Sequence, residues 1–428
     1  MLSLIFCILL FVLGSFLIWK ANRDIFSPNF LILIVWIFNF TGGIIISLTE
    51  AHYFTVFLIS LGVFSFGLGS YFCTAIMRFK PIKELENYRK KPITFMFSKS
   101  INFAVLLISF FLTLILAILY FHYAGIPLFS KDVSTIRINT AAGKGLFIRA
   151  IDTFLPVLML LSFMGMKGYK SKGLKLLFCI ITVTNIIAAI FIGTRGQVIM
   201  YVLLFILLYS LTISRIRISK LVFLVIFFLI FALFLQMRYA DWRSSSIWVH
   251  LRILFSRFTV SQVLGLDFIV YYLVPQSGFS LGEVLLNDFK GFLYTLRVVN
   301  TYTPPFWVIL FELMYGKNPR GSFIMTTTPV GDLYLDFGMV GVVLGMFMLG
   351  NLSQMLYIYT LRSRKDWLLS TGLIYLQFSI IMVNVLGGFF TVISAYVLSL
   401  IMFLSLILFL AMLFLLLRHI LRKKEAFT

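Results

Sequence analysis

The segment YFTVFLISLGVFSFGLGSYFCTAI covers residues 53–76 and contains no charged side chain. A helix of about 20 apolar residues crosses the roughly 30 Å of hydrocarbon in a membrane, so this segment predicts a transmembrane helix. Ten further stretches predict spans in the same way, and they cover residues 2–19, 30–49, 101–123, 148–166, 174–192, 197–213, 221–236, 338–361, 367–386 and 391–417. The sequence therefore predicts an all-α, polytopic transmembrane bundle of about 11 spans.

The composition agrees with a chain that is surrounded by lipid. Of the 428 residues, 61% are hydrophobic and 12% are charged, whereas a soluble domain carries about a quarter charged residues. The net charge of +21 would suit nucleic-acid binding, but the Lys and Arg residues form short clusters between apolar stretches. Such clusters are typical of topology signals. Membrane lipids are therefore predicted partners, and nucleic acid is not.

The basic clusters occupy every second connection and the C-terminal segment. Most of the 36 Lys and Arg residues lie in residues 20–23, 78–99, 167–175, 215–220, 362–365 and 418–424. Positively charged connections remain on the cytoplasmic side of a membrane. The pattern predicts a multi-pass protein of a bacterial inner (plasma) membrane, with its N-terminus outside and its C-terminus in the cytoplasm.

The long connections fall on the predicted outer side, which is periplasmic or extracellular. We expect one membrane domain over residues 1–428, with spans 1–8 in residues 1–236 and spans 9–11 in residues 332–428. A large outer loop, residues 237–331, lies between them. Because the predicted inner connections are short, we expect the chemistry on the outer face.

The large outer loop is expected to be partly embedded in the membrane. Residues 247–258 (IWVHLRILFSRF) place apolar side chains on one helical face, which predicts an amphipathic helix at the membrane surface. Residues 305–315 (PFWVILFELMY) are apolar but too short to cross, which predicts a re-entrant or interfacial helix.

Arginine side chains form the first candidate binding group. Arg195 lies in a Gly-Thr-Arg-Gly turn between two predicted spans, and Arg238, Arg243, Arg252 and Arg257 follow in the outer loop. The planar, permanently charged guanidinium suits the oxygens of a diphosphate. The alternative roles are attraction to lipid head groups and, for Arg195, a snorkelling side chain at the end of a span.

Acidic side chains form the second group. Asp332 and Asp336 lie four residues apart at the start of a predicted span, so they share a helix face. They could act as a general base or as partners of Arg, and the alternative for Asp332 is a helix cap. His250, inside the outer loop, is a further candidate base. No metal-binding, P-loop or dinucleotide motif is visible, so neither a metal nor a cofactor is predicted.

These features together resemble a known family. The GTRG turn, a long outer loop with early Arg residues, and TTPVGDLYLDFGMVG opening the next helix resemble the bacterial oligosaccharide repeat-unit polymerases, the Wzy-type O-antigen and capsule polymerases. In that family the segment often contains an acidic residue, then a tyrosine, and finally an aromatic-glycine pair. They correspond to Asp332, Tyr334 and Phe337-Gly338.

The resemblance implies a metal-independent glycosyltransferase. Its donor would be a growing glycan on undecaprenyl diphosphate, its acceptor a repeat unit on the same lipid, and its product an O-antigen, a capsule or an exopolysaccharide. The diphosphate would be bound by Arg195, Arg238, Arg243, Arg252 and Arg257. The base would be Asp332, His250 or Asp336, and the sugar or acceptor contacts Tyr334, Thr327 and Arg320. A chain-length regulator and a flippase are further implied partners.

Three alternatives remain open at this point. An O-antigen ligase has a similar layout but relies on a histidine in its catalytic loop, and the surroundings of His250 do not match that histidine. A flippase or transporter should carry charged groups in mid-membrane, whereas the predicted spans are nearly uncharged. A structural scaffold would leave the outer Arg and Asp residues without a role.

The predicted orientation can be tested by labelling single cysteines. After replacement of the three native cysteines, Asn300→Cys should react with a membrane-impermeant maleimide in intact spheroplasts, because residue 300 lies in the predicted outer loop. Ser171→Cys, in a predicted inner connection, should react only after the membrane is permeabilised. The opposite pattern would reverse the predicted orientation.

Overall fold

The computed structural model describes residues 2–95, 99–124, 145–192, 195–213, 246–295, 298–316 and 325–386, except positions 302 and 305, with single positions inside 219–233 and 397–416. Most of these residues are helical, and no β-strand occurs among them. The prediction of an all-α, polytopic membrane protein is confirmed.

The described helices differ widely in length, from four residues to 35. In chain order they are α1 (Leu2–Asn22), α2 (Pro28–Glu50), α3 (Tyr53–Ile76), α4 (Pro81–Lys90), α5 (Lys99–Ala124), α6 (Gly145–Gly168), α7 (Lys172–Ile192), α8 (Arg195–Thr212), α9 (Ile247–Phe258), α10 (Val260–Phe268), α11 (Val274–Ser277), α12 (Glu283–Thr295), α13 (Phe306–Tyr315), α14 (Thr328–Arg362) and α15 (Trp367–Leu386). A π-helical turn, Ile269–Leu273, joins α10 to α11.

Among the described residues, five helices are long and apolar enough to cross a membrane. They are Ser3–Asn22, Pro28–Glu50, Tyr53–Ile76, Phe103–His122 and Thr328–Arg362. The bent pair Ile247–Arg257 and Val260–Ser277 adds a sixth if it forms one span. Predicted spans at 221–236 and 391–417 lie largely outside the described residues, so the number of 11 and the orientation stay predictions. The predicted span at 338–361 lies within α14, which runs from Thr328 to Arg362 and has a break at Gly338.

The chain forms two compact units. The first contains residues 1–89, 205–362 and 377–395, and the second contains residues 90–204, 363–376 and 396–428. In the second unit, the Trp367 indole N–H donates to the carbonyl of Leu161 at 2.9 Å. The expectation of one membrane domain stays a prediction.

In the first unit, α3 is the central helix, and glycines let its neighbours approach it closely. A Cβ atom added at Gly69 would overlap the carbonyl oxygen of Phe347 in α14, and one added at Gly350 would overlap the carbonyl oxygen of Phe66. Gly67 faces the backbone of Gly14 in α1 in the same way. Small residues are what allows backbones to pack closely in lipid, where apolar side chains gain nothing by leaving the solvent.

A buried polar network lies where α2, α3 and α14 pack together. The Asn29 side-chain amide donates to Ser70 Oγ at 3.0 Å and to Gln354 Oε1 at 2.8 Å. The Ser353 hydroxyl donates to the Asn29 carbonyl oxygen, and all four side chains are buried. Because an unpaired polar group in hydrocarbon costs several kcal/mol, this network specifies how α2, α3 and α14 are aligned.

The two ends of α3 contact segments that the sequence assigns to opposite sides of the membrane. At one end, the Arg362 guanidinium binds both oxygens of Glu84 at 2.8 Å and donates to the carbonyl of Met77; all three were predicted to be cytoplasmic. At the other end, Ala51 and His52 connect α2 to α3 and lie beside Asp267 of the outer loop. The contacts place these two sets of segments at opposite ends of α3, and the orientation of those ends in the membrane stays a prediction.

The close approach of α14 to α3 at Gly350 predicts how one added methyl group changes the stability of the protein. Gly350→Ala should lower the stability of the purified protein by about 1–3 kcal/mol, because the added Cβ overpacks against the α3 backbone. Gly372→Ala is the matched control, since nothing lies within 4 Å of its added Cβ and alanine favours a helix. Thermal unfolding in detergent measures both, and equal melting temperatures would contradict the crossing.

Candidate functional site

The buried carboxylate of Asp336 holds the start of α12. It accepts a hydrogen bond from the Ser280 hydroxyl and from the backbone N–H groups of Val284 and Leu285, each of the latter at 3.1 Å. A carboxylate in this position caps the helix and interacts favourably with its dipole. The sequence predicted Asp336 as a candidate base, but here its oxygens are engaged by three donors.

The helix α14 breaks directly after this aspartate. Gly338 has φ 63° and ψ −154° inside α14, a conformation that glycine adopts without the steric cost of a side chain. The ring of Phe279 would lie 3.3 Å from a Cβ at this position. The aromatic-glycine pair of the sequence motif therefore marks a bend in α14, with Phe337 exposed beside it.

Asp332 lies one turn before Asp336 and is also buried. The capping alternative for Asp332 is wrong, because α14 begins at Thr328, whose hydroxyl accepts the backbone N–H of Gly331 at 3.3 Å. Thr327, predicted to contact the sugar, is buried just before the helix.

The predicted amphipathic helix is present as α9, with the bounds Ile247–Phe258. Its histidine faces inward: His250 and Leu254 are buried, whereas Trp248 and Phe255 are exposed. Arg252 and Arg257 are exposed as well. The helix thus presents apolar and cationic side chains to its surroundings, which suits contact with lipid and phosphate groups.

A second polar group, which sequence reasoning missed, lies at the α2–α3 connection. His52 Nδ1 is 2.8 Å from Asp267 Oδ2, and the Thr55 hydroxyl donates to Asp267 Oδ1 at 2.6 Å. The His52 ring stacks on Tyr271, with centroids 3.8 Å apart and an interplanar angle of 11°. The Tyr271 hydroxyl accepts the backbone N–H of Phe54 at 2.9 Å.

This cluster adjoins the start of α14. The Tyr334 ring meets the rings of Phe54 and Phe279 edge-on, at centroid distances of 5.9 and 5.7 Å. Phe54 also donates its backbone N–H to the Tyr271 hydroxyl at 2.9 Å, so it contacts both tyrosines. The tyrosine of the sequence motif therefore connects the α14 segment to the His52 cluster.

Sequence reasoning missed the cluster because its members are far apart in the chain. In the sequence, His52 stands between the predicted spans 30–49 and 53–76, where an interfacial role is the ordinary expectation. The available signal was Asp267 itself, which stands within the apolar run VLGLDFIVYYL, and a buried carboxylate requires a partner. Nothing in the local pattern identifies that partner as His52.

Among the described residues, Glu50, His52 and Asp267 form one group whose ligand atoms lie within 4.8 Å of one another. Glu50 Oε2 is 3.5 Å from His52 Nδ1, and Glu50 is exposed. Both oxygens of Asp267 already have protein partners. The geometry therefore suits an oriented histidine better than an open metal site.

Several predicted site residues lie elsewhere. Arg238, Arg243 and Arg320 are outside the described residues. Arg195 begins α8, but its side chain is also outside them. The predicted short helix at 305–315 is present as Phe306–Tyr315.

The role of Asp336 as a cap can be tested through its serine partner. Ser280→Ala should lower the stability by about 0.5–2 kcal/mol, because one bond to the capping carboxylate is lost. Ser277→Ala is the matched control, since its hydroxyl bonds only to Leu273 in the same stretch of helix. Hydrogen exchange of the α12 amides and thermal unfolding measure the effect. If the two variants behave alike, Asp336 does not hold α12.

Comparison with known families gives one match. The model of the O-antigen polymerase family matches residues 24–399, which is nearly the whole chain. No match is found among curated proteins or among solved structures.

Proposed function

The chain belongs to the O-antigen polymerase family, and on this premise we propose that it joins undecaprenyl-diphosphate-linked oligosaccharide repeat units on the outer face of a bacterial plasma membrane. The family match over residues 24–399 carries this proposal. The apolar helices place the chain in a membrane, which is where a polyprenyl-linked substrate is held.

In the proposed reaction, a sugar hydroxyl of the acceptor attacks the anomeric carbon of the donor glycan. The new glycosidic bond forms as the bond between that carbon and the diphosphate oxygen breaks, and undecaprenyl diphosphate leaves with the electron pair. The hydroxyl proton must pass to a base. The energy for the step comes from the activated donor, so no cofactor is required.

Negative charge develops on the leaving diphosphate, and arginine side chains are proposed to stabilise it. Guanidinium groups keep their charge and bind phosphate oxygens in pairs, so they can neutralise the leaving group without a metal. Arg252 and Arg257 are exposed on α9 and are free to meet a head group. Arg238 and Arg243 are proposed for the same role, and Arg195 stays a separate sequence-based proposal.

The start of α14 is proposed to contact the acceptor sugar. Asp332, Tyr334 and Thr327 lie together in the segment before the bend at Gly338, and the hydroxyl and carboxylate groups suit sugar hydroxyls. Arg320 is proposed as a further contact. Asp336 is proposed to position this segment through its bonds to α12.

Two partners follow from the chemistry. Lipid-linked repeats are assembled from cytoplasmic precursors, so a flippase has to deliver them to an outer active face. A chain-length regulator is the second proposed partner, since the polymerisation step by itself sets no final length. The ligase alternative shares the donor but transfers finished glycan to a different acceptor.

The test is the length of glycan on undecaprenyl diphosphate in cells that carry Asp332→Asn. Loss of a hydrogen bond to a charged group costs about 1.5–3 kcal/mol, so the polymerisation rate should fall about 10- to 100-fold and single repeats should accumulate. Arg195→Ala should have the same direction of effect. The control is Glu312→Gln, an exposed carboxylate on α13.

Protein levels in the membrane must be equal for this comparison. Long chains that persist on the lipid but fail to reach their final acceptor would indicate a ligase. An absence of glycan from the outer face would indicate a transporter. Either result contradicts the polymerase proposal.

A further inference from the structure

We propose that His52, oriented by Asp267, is the general base that accepts the proton of the attacking acceptor hydroxyl. This inference rests on the polymerase function proposed above. It assigns a step that the sequence-based candidates Asp332, His250 and Asp336 leave open.

The contacts of Asp267 fix the orientation of the imidazole. Asp267 is 4% exposed, and its Oδ2 lies 2.8 Å from His52 Nδ1. Its Oδ1 accepts the Thr55 hydroxyl at 2.6 Å. A carboxylate at this distance holds the proton on Nδ1 and leaves the lone pair on Nε2, as in the histidine-carboxylate pairs of many hydrolases. The same carboxylate stabilises the imidazolium that forms when Nε2 takes a proton.

The surroundings hold the ring and leave the side chain partly exposed. Tyr271 stacks on one face of the ring, and Tyr272 meets it edge-on at 6.5 Å. Glu50 contributes the only other nearby charge among the described residues, with Oε2 3.5 Å from Nδ1. No described residue forms a hydrogen bond with Nε2, and the side chain of His52 is 16% exposed.

The other candidates are less accessible. His250 is 1% exposed and Asp336 is 0%, and Asp336 already accepts three hydrogen bonds. Asp332 is 3% exposed and is assigned above to binding of the acceptor sugar. A base must come within hydrogen-bond reach of the proton that it removes. The His52 side chain is 16% exposed, and its stacking partner Tyr271 bonds to the backbone of Phe54, whose ring meets that of Tyr334, the proposed sugar contact.

The proton balance of the step is complete. The acceptor O–H proton moves to His52 Nε2 as the oxygen forms its bond to the anomeric carbon, and undecaprenyl diphosphate departs with the electrons of the broken bond. The imidazolium then releases its proton to water. Asp267 remains a carboxylate throughout and acts as a positioning residue.

The experiment measures polymerisation of purified lipid-linked repeats by the purified full-length protein between pH 5 and 9. His52→Gln should lower the rate about 10²- to 10⁴-fold, the usual contribution of general base catalysis. Asp267→Asn should lower it by about tenfold or more, because the imidazolium loses its counter-charge. His122→Gln is the matched control, since it removes an exposed histidine at another predicted outer span end and should keep the wild-type rate.

The pH profile separates a catalytic role from a structural one. A neutral imidazole is required of a general base, so the wild-type rate should fall towards the acid end of the pH range, and the residual rate of His52→Gln should lack this acid limb. Addition of free imidazole should partly restore His52→Ala but not Asp332→Asn. Unfolding temperatures in detergent show whether each variant is folded.

Three outcomes would overturn the inference. One is a His52→Gln rate within about threefold of wild type, and a second is an unchanged acid limb in that variant. The third is loss of wild-type activity with a chelator and recovery with a divalent cation, which would assign Glu50, His52 and Asp267 to a metal. A wild-type protein that makes no polymer at all would instead refute the proposed function.

Discussion

The close approach of α3 to α14 is the constraint on which the rest of the first unit depends. Gly69 and Gly350 bring the two backbones into contact, and the hydrogen bonds of Asn29 with Ser70 and Gln354 fix their alignment. In lipid, such contacts replace the hydrophobic effect as the force that joins helices. Their consequence at the outer end is the meeting of Phe54, on α3, with Tyr334, on α14.

Polar bonds help to hold described parts of the outer loop to the helices, together with buried apolar side chains such as Leu266 and Ile269. Asp267 bonds to His52 and Thr55 at the start of α3, and Asp336 of α14 caps α12. At Gly42 of α2, an added Cβ would overlap the backbone of Thr259, next to α9. Each bond joins segments that are far apart in sequence, so a change at one position affects the geometry of several others.

The environment gives three neighbouring carboxylates different tasks. Asp336 accepts hydrogen bonds from the Ser280 hydroxyl and from two backbone N–H groups at the start of α12, so its role is structural. Asp267 orients a histidine, which is the arrangement that makes an imidazole effective in proton transfer. Asp332 lies at the start of a helix, beside the motif tyrosine. Residue type alone therefore does not determine function, since the donors around each oxygen decide whether the group can still act on a substrate.

The sequence by itself determined the fold class, the helix at residues 247–258 and the importance of the α14 segment, because apolar length, periodicity and short motifs are local properties. It did not show that a helical segment beginning at Thr328 precedes the break at Gly338, since the polar residues in that segment lower the local hydropathy. Only the tertiary structure decided that His250 faces inward, that Asp336 caps α12 and that His52 meets Asp267. These pairings depend on how helices distant in the chain pack, and no local pattern encodes that packing.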